Sequence, residues 1–277
     1  MVIRTFYWHD RVISRPQLWF KKLANRNPHH FFVTGNAGDI FAKDLIARQY
    51  GCESINIADE GRRLLLIGSI AHRLLPCDIV CGAGVKSPDL PAPVPGARYL
   101  FQAVRGPLSY EALRKAGYDV SGIKFMLDPG LLIRYFVNSD LPPTKNKIGF
   151  IPHYRERGVY WRRPPKGISL IDIDNAPIEV AKKIMSCELV YSSSLHGLIF
   201  AHALGRPCVF VAPKTEEPLF KYEDYYASIG VPMPSPLDGI ESRQLFTSPT
   251  SPVEVRYSRE IFEFPAPDVL REYGVLV

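Results

Sequence analysis

Short apolar runs alternate with longer stretches whose apolar residues recur at helical spacing, and this alternation continues along most of the chain. In the first half it predicts strands at Phe31 to Thr34 (FFVT), Arg63 to Ile67 (RLLLI), Asp78 to Cys81 (DIVC) and Tyr99 to Val104 (YLFQAV). In the second half it predicts strands at Ile148 to Pro152, Ile168 to Ile173, Glu188 to Tyr191 and Pro207 to Ala212. Helices are predicted over Ile40 to Tyr50, Ser109 to Ala116, Pro177 to Ser186 and Leu198 to Leu204, with Gly117 and Gly205 closing the second and the last. Alternating strands and helices argue for an α/β fold, with parallel sheets covered by helices on both faces. Two such halves of similar length predict two doubly wound domains facing each other across a cleft. The polar, proline-bearing segment Asn138 to Lys147 sets the expected boundary, with residues 1–143 in one domain and 144–277 in the other. In sheets of this kind ligands bind at the carboxyl ends of the strands, where this chain carries Gly, Ser, His and Arg.

Composition narrows the class. Hydrophobic residues make up 46% and charged residues 22% of 277, which excludes disordered and fibrous architectures. Neither a membrane-spanning run of about 18 apolar residues nor a leader is expected, because Arg4, His9, Asp10 and Arg11 interrupt the N-terminal apolar stretch. Lys and Arg number 34 against 28 Asp and Glu, a formal +6, which suits an anionic ligand, an anionic membrane surface or nucleic acid. The densest basic stretch, Arg155 to Lys166, reads as a surface loop in preference to a nucleic-acid site. Lys86 to Gly96 holds four prolines and reads as an extended surface loop. Five dispersed cysteines fit reduced, mostly buried thiols in a cytoplasmic protein, and no metal site is expected because Cys77 and Cys81 lack partners at zinc spacing.

The sharpest chemical signal is Ser192-Ser193-Ser194-Leu195-His196-Gly197, between a buried strand and a helix. Hydroxyls and free amides at a helix N-terminus favour an anion, and an imidazole on the first turn can act as acid or base. The competing reading is a serine N-cap beside a satisfied histidine. Gly35-Asn36-Ala37-Gly38-Asp39 allows close backbone approach to a ligand, although an ordinary Asx-Gly turn would look the same. Arg105, leaving a strand just before Pro107 opens a helix, could clamp a carboxylate or phosphate, or simply form a surface ion pair. Phe220 to Tyr226 (FKYEDYY) reads by composition as an amphipathic helix with a solvated charged face, and Asp128-Pro129-Gly130 as a turn. Gly82-Ala83-Gly84 lacks the rest of a dinucleotide fingerprint, so no nicotinamide cofactor is expected.

Taken in order, several stretches resemble the polysaccharide pyruvyltransferase family, and in particular its ketal-forming exopolysaccharide branch. They are GNAGDIFAKDLI (35–46), LIGSIAH (66–72), CGAGV (81–85), QAVRGP (102–107), LDPGLL (127–132), IPHY (151–154), SSSLHGLIFAHALGRP (192–207) and FKYEDYY (220–226). The resemblance implies two Rossmann-like domains in a GT-B-like arrangement. It implies phosphoenolpyruvate as co-substrate with no further cofactor, and a sugar acceptor on a lipid-linked unit at the cytoplasmic face of the inner membrane. Peripheral membrane contact and no nucleic-acid partner follow from it.

On the matching positions the resemblance implies His196 as general acid, and Arg105 and Lys221 as the cations that neutralise the donor. Ser193, Ser194, Leu195 and Gly197 would cradle the donor. Asn36, Gly38, Asp39, His153 and Tyr154 would line the acceptor side or the cleft wall. Many family members carry Arg where this chain has Ser194, so a donor contact is expected from Arg155, Arg206 or Lys214. The rival expectations are a glycosyltransferase using a nucleotide sugar and a non-catalytic sugar- or nucleic-acid-binding module.

Overall fold

In the computed structural model, residues 1–8, 11–24, 31–138, 142–240 and 251–277 are described. The chain begins with β1 (Val2–Thr5), β2 (Arg11–Val12), α1 (Arg15–Leu23), β3 (Phe31–Phe32), α2 (Ala37–Tyr50) and β4 (Glu53–Asn56). It continues with β5 (Leu64–Leu65), β6 (Ile79–Cys81), β7 (Leu100–Val104), α3 (Pro107–Lys115) and β8 (Phe125–Met126). Next come β9 (Ile148–Ile151), α4 (Arg157–Arg162), β10 (Ser169–Leu170), α5 (Pro177–Met185) and β11 (Leu189–Ser192). The last elements are α6 (Leu195–Ala203), β12 (Cys208–Phe210), α7 (Phe220–Ser228) and α8 (Pro267–Glu272).

Two parallel sheets organise these elements, as the alternation of strands and helices predicts. One has six strands in the order β4-β1-β5-β6-β7-β8, and the other four in the order β10-β9-β11-β12. The inner strands are apolar on both faces because helices cover both: β6 and the Val190–Ser192 stretch of β11 are buried at every position. A separate parallel pair, β2 and β3, matches Arg11 with Phe31 and Val12 with Phe32.

Local sequence explains where the site-bearing helices start. Asn36 caps α2 by accepting from the Gly38 amide at 3.2 Å, so the helix begins three residues earlier than predicted. Ser194 caps α6, whose first turn therefore includes His196. Pro107 takes the first position of α3, where a missing N–H costs nothing. The expected turn at Asp128 to Gly130 instead opens a 3-10 helix, Pro129–Tyr135, with Asp128 accepting from the Gly130 amide at 2.8 Å. Its Leu131, Leu132 and Ile133 are buried against α6, which is buried at every position.

The expected second unit, residues 144–277, ends beside the first sheet. The final residues return to the six-stranded sheet: Arg4 donates to the Val275 carbonyl at 2.9 Å, and Val2 and Val277 exchange backbone hydrogen bonds at 2.7 and 2.9 Å. Part of the expected boundary, residues 139–141, lies outside the described residues. One apolar core joins the two sheets. It includes Phe41 of α2, whose ring lies 5.8 Å from that of Phe200 in α6, and the Ala37 amide donates to the Ile173 carbonyl at 2.8 Å.

Candidate active site

The largest cluster of the predicted site residues surrounds an open cleft of about 810 Å³, counted to its mouth. Its walls follow the carboxyl ends of strands from both sheets. Ser69 and Ile70 come after β5, Lys86 after β6, His153 and Tyr154 after β9, and Ser194, Leu195 and His196 after β11. Asn36 and Asp39, at the start of α2, and Lys221, on α7, complete the predicted part of the lining.

Asp39 and His196 form the centre. Both side chains are buried, with Asp39 Oδ1 3.9 Å from His196 Nδ1. The approach of the imidazole depends on Gly38, where a Cβ would collide with Cγ and Nδ1 of the ring. Gly38 thus gives the His196 ring a flat backing. Burial pushes the Asp39 carboxyl up to about 8, against the opposing pull of the Lys221 ammonium. Burial, together with the Lys221 and Arg105 cations, pushes His196 down to about 3. At neutral pH the carboxyl therefore holds a proton and the imidazole is neutral. Burial thus favours the neutral form of both groups, a protonated carboxyl and an uncharged imidazole. His196 Nε2 is buried and has no hydrogen-bond partner among the described residues.

A ring of cations surrounds one carboxylate. Glu217 pairs with Lys221 Nζ at 2.8 Å, with Arg155 Nη1 at 2.7 Å and with Lys86 Nζ at 3.7 Å. Burial works against its charge, but Lys221, Arg155 and Lys86 hold its carboxyl below the usual carboxylate range. Burial lowers Lys221, while Glu217 opposes that shift. Desolvation and the same cations keep His153 neutral, with its value well below the ordinary imidazole range. Arg73 adds a further cation to the wall, its guanidinium 4.5 Å from the Trp8 ring. The cleft therefore sets four cations against one ionised carboxylate, a balance suited to a small polyanion.

Several expected contacts lie behind the wall instead. Arg105 is fully buried, and its donors are used by Asp224 Oδ2 (2.9 Å), Ser69 Oγ (2.6 Å) and the Val85 carbonyl (2.8 Å). It braces Ser69, which does line the cleft. Ser193 donates to Glu156 and accepts from the His153 amide at 2.8 Å, which leaves its hydroxyl engaged in fixing the turn. Gly197 is required by packing, since a Cβ there would strike the Ser192 hydroxyl. The predicted solvated face of α7 is also corrected. Lys221 and Asp224 are buried, and Asp224 accepts from Ser109 N at 2.9 Å and Ser109 Oγ at 2.6 Å as well as from Arg105. Of the three substitutes considered for the missing arginine, Arg155 lines the cleft, and Arg206 and Lys214 are not among its described lining residues.

Trp8, His72, Arg73, Lys86 and Glu217 were not singled out by the sequence. His72 lay within LIGSIAH, a stretch that carries the family resemblance, and Lys86 opened the proline-bearing loop 86–96. Among the described residues no group of three or more His, Cys, Asp or Glu is placed to hold a metal ion.

The chain is 28% identical over 221 residues to uncharacterized protein L143 of Acanthamoeba polyphaga mimivirus, covering 73% of this chain and 74% of that one. It is 28% identical over 181 residues to succinoglycan biosynthesis protein ExoV of Rhizobium meliloti (strain 1021), covering 61% of this chain and 54% of ExoV. The chain thus spans about half the length of that relative. A crystal structure of a functionally uncharacterized protein, KP1_0663 of Klebsiella pneumoniae subsp. pneumoniae NTUH-K2044, matches 77% of this chain and 94% of its own, at 17% identity and a TM-score of 0.42. The profile of the polysaccharide pyruvyl transferase family matches residues 63–215, more than half of the chain and a span that includes Ser69, Lys86, His153, Arg155 and His196 of the cleft, and the chain belongs to that family.

Proposed function

We propose that this protein transfers the three-carbon unit of phosphoenolpyruvate onto two hydroxyls of a sugar in a lipid-linked exopolysaccharide unit, forming a pyruvate ketal. The reaction would run at the cytoplasmic face of the inner membrane, with the two sheets acting as the walls of a GT-B-like cleft. The observation that carries this reading is the cleft itself, where Asp39 Oδ1 lies 3.9 Å from His196 Nδ1 and Lys86, Arg73, Arg155 and Lys221 line the wall around Glu217.

The chemistry needs an acid, a base and an anion site. In the proposed sequence, Lys221, Arg155, Lys86 and Arg73 hold the donor's phosphate and carboxylate. Asp39 delivers its proton to the methylene carbon of the enol, forming the C–H bond as the double bond is used and leaving an oxocarbenium-like centre at the adjacent carbon. The first sugar hydroxyl bonds to that centre while neutral His196 takes the hydroxyl proton. The second hydroxyl then attacks the same carbon, the carbon–oxygen bond to phosphate breaks, and its proton leaves with the phosphate. The proton on His196 returns to Asp39 across the 3.9 Å pair and restores the starting state.

A thermal-shift comparison tests the donor. Phosphoenolpyruvate is expected to stabilise the protein, whereas nucleotide sugars and nucleotide diphosphates are not. Stabilisation by a nucleotide sugar alone would overturn the reading in favour of glycosyl transfer.

A further inference from the structure

Asp224 is a fully buried charge that does not line the cleft, yet it lies one turn along α7 from Lys221, which does. Opposite it is the start of α3. Gly106, the residue before that helix, has no side chain to cap the free amides of the first turn. The cap comes from α7 instead: Asp224 Oδ1 accepts from the Ser109 amide at 2.9 Å. Gly106 also makes room for the approach, since a Cβ there would strike the backbone oxygen and the carboxylate of Asp224.

The same carboxylate holds two side chains. Asp224 Oδ2 accepts from Ser109 Oγ at 2.6 Å and from Arg105 Nε at 2.9 Å. Both partners then meet on one residue. Ser109 Oγ accepts from the Val85 amide at 3.0 Å, and Arg105 Nη2 donates to the Val85 carbonyl at 2.8 Å. Val85 is thus pinned through its N–H and its C=O, in a buried setting where losing either bond leaves a polar group unpaired. The next residue is Lys86. Its ammonium lies 3.7 Å from Glu217 Oε1, while Lys221 Nζ lies 2.8 Å from Oε2 of the same carboxylate.

We infer that Asp224 is a positioning residue for the anion site: by capping α3 from α7 and fixing Val85 through Ser109 and Arg105, it sets the spacing of Lys86 and Lys221 in the cleft. Lys86 follows β6 in the six-stranded sheet and Lys221 belongs to α7, so neither element alone determines their separation. Charge-assisted bonds from both lysines to one small polyanion need that separation held, because such bonds are short and directional. That the polyanion is phosphoenolpyruvate rests on the proposed function, but the positioning does not.

Ser109→Ala carries the test, because Asp224→Asn would also strip the charge from a fully buried pair and cost stability. Removing the Ser109 hydroxyl unpins the Val85 amide and leaves the Arg105–Asp224 pair and the Ser109 amide bond in place. Wild type is first titrated with phosphoenolpyruvate and with UDP-glucose by thermal shift. The Kd of the anion that stabilises it is then measured by calorimetry for wild type, Ser109→Ala, Lys86→Met and the double variant. Ser109→Ala is expected to raise Kd about fivefold and Lys86→Met about tenfold, and the double variant should match Lys86→Met instead of multiplying the two losses. Tyr50→Phe, which removes a 2.9 Å hydrogen bond to the Pro265 carbonyl outside the cleft, should leave Kd unchanged. An unchanged Kd in Ser109→Ala, or multiplied losses in the double variant, would overturn the inference. So would binding of neither anion by the wild type. Binding of UDP-glucose in place of phosphoenolpyruvate would overturn the donor reading alone, and the same four proteins titrated with UDP-glucose then decide the positioning.

Discussion

Asp39 Oδ1 stands 3.9 Å from His196 Nδ1, with both groups buried and their proton affinities displaced in opposite directions. Burial favours the protonated form of a carboxyl that water would ionise, and the neutral form of an imidazole that water would leave partly charged. The inversion has one source: a buried site penalises each charged form, which here means carboxylate and imidazolium alike. Two titratable groups pushed apart in this way are a common arrangement for an acid and a base acting in one reaction.

Activity should fall as pH rises through about 8, as Asp39 gives up its proton. Asp39→Asn should lower kcat by about 100-fold or more and remove that alkaline limb. The measurement is phosphate release from phosphoenolpyruvate and acceptor across pH 6 to about 10. An unchanged alkaline limb in the variant would assign it to another group.

The same group sets a stability trend. Its folded value, about 8, exceeds the ordinary 3.8, so the folded chain holds a proton that the unfolded chain releases. Its contribution is therefore present at low pH and is lost as pH rises from about 4 to 8. Asp39→Asn should be more stable than wild type at pH 9 relative to its difference at pH 5, as read from urea midpoints at the two values.

Removing Lys221 should separate binding from folding. Lys221→Met keeps the stem but removes the ammonium that pairs with Glu217 at 2.8 Å. Stabilisation by phosphoenolpyruvate should disappear, and phosphate release should fall at least about tenfold, the scale of one lost charge-assisted contact. Retention of both would remove Lys221 from the donor site.

Arg105 should behave as a structural residue. Arg105→Ala leaves Asp224 and its Ser109 contacts buried without their counter-charge, at a cost of about 3–5 kcal/mol. Denaturant unfolding should show this loss directly. In any folded fraction, the affinity for phosphoenolpyruvate should change less than it does in Lys221→Met.

Gly38→Ala should act through geometry alone. The added methyl would push the His196 ring off the Asp39 axis, so kcat should fall while the pH at which activity declines stays in place. Kinetics of the variant at pH 6 and pH 9 would check this.

The sequence made the parallel sheets, the cap of α6 and the place of His196 legible because each depends on neighbours within a few residues. The sequence left Arg105 between a ligand clamp and an ion pair for a physical reason. An arginine at a strand end looks the same whether it faces a ligand or a buried carboxylate, and its partner Asp224 is 119 positions away. Lys221 and Asp224 looked solvated because charge on a helix usually is, and only the packing of α7 on α3 buries them. Glu217 carried no local signal, since its role comes from three cations on three different segments. Helix α1 escaped notice because its apolar residues do not face a core. β1 was missed because Arg4 breaks a four-residue run whose inward positions are Ile3 and Thr5.

The shared core under the cleft limits how the site can move. Swinging one sheet away from the other would pull Phe41 from Phe200 and break the Ala37–Ile173 hydrogen bond, so a clamshell motion would cost the protein its own interior. Exchange of small molecules must instead be local. Lys86, Arg155 and Lys221 already converge on Glu217, and an arriving polyanion would have to compete with that carboxylate for them.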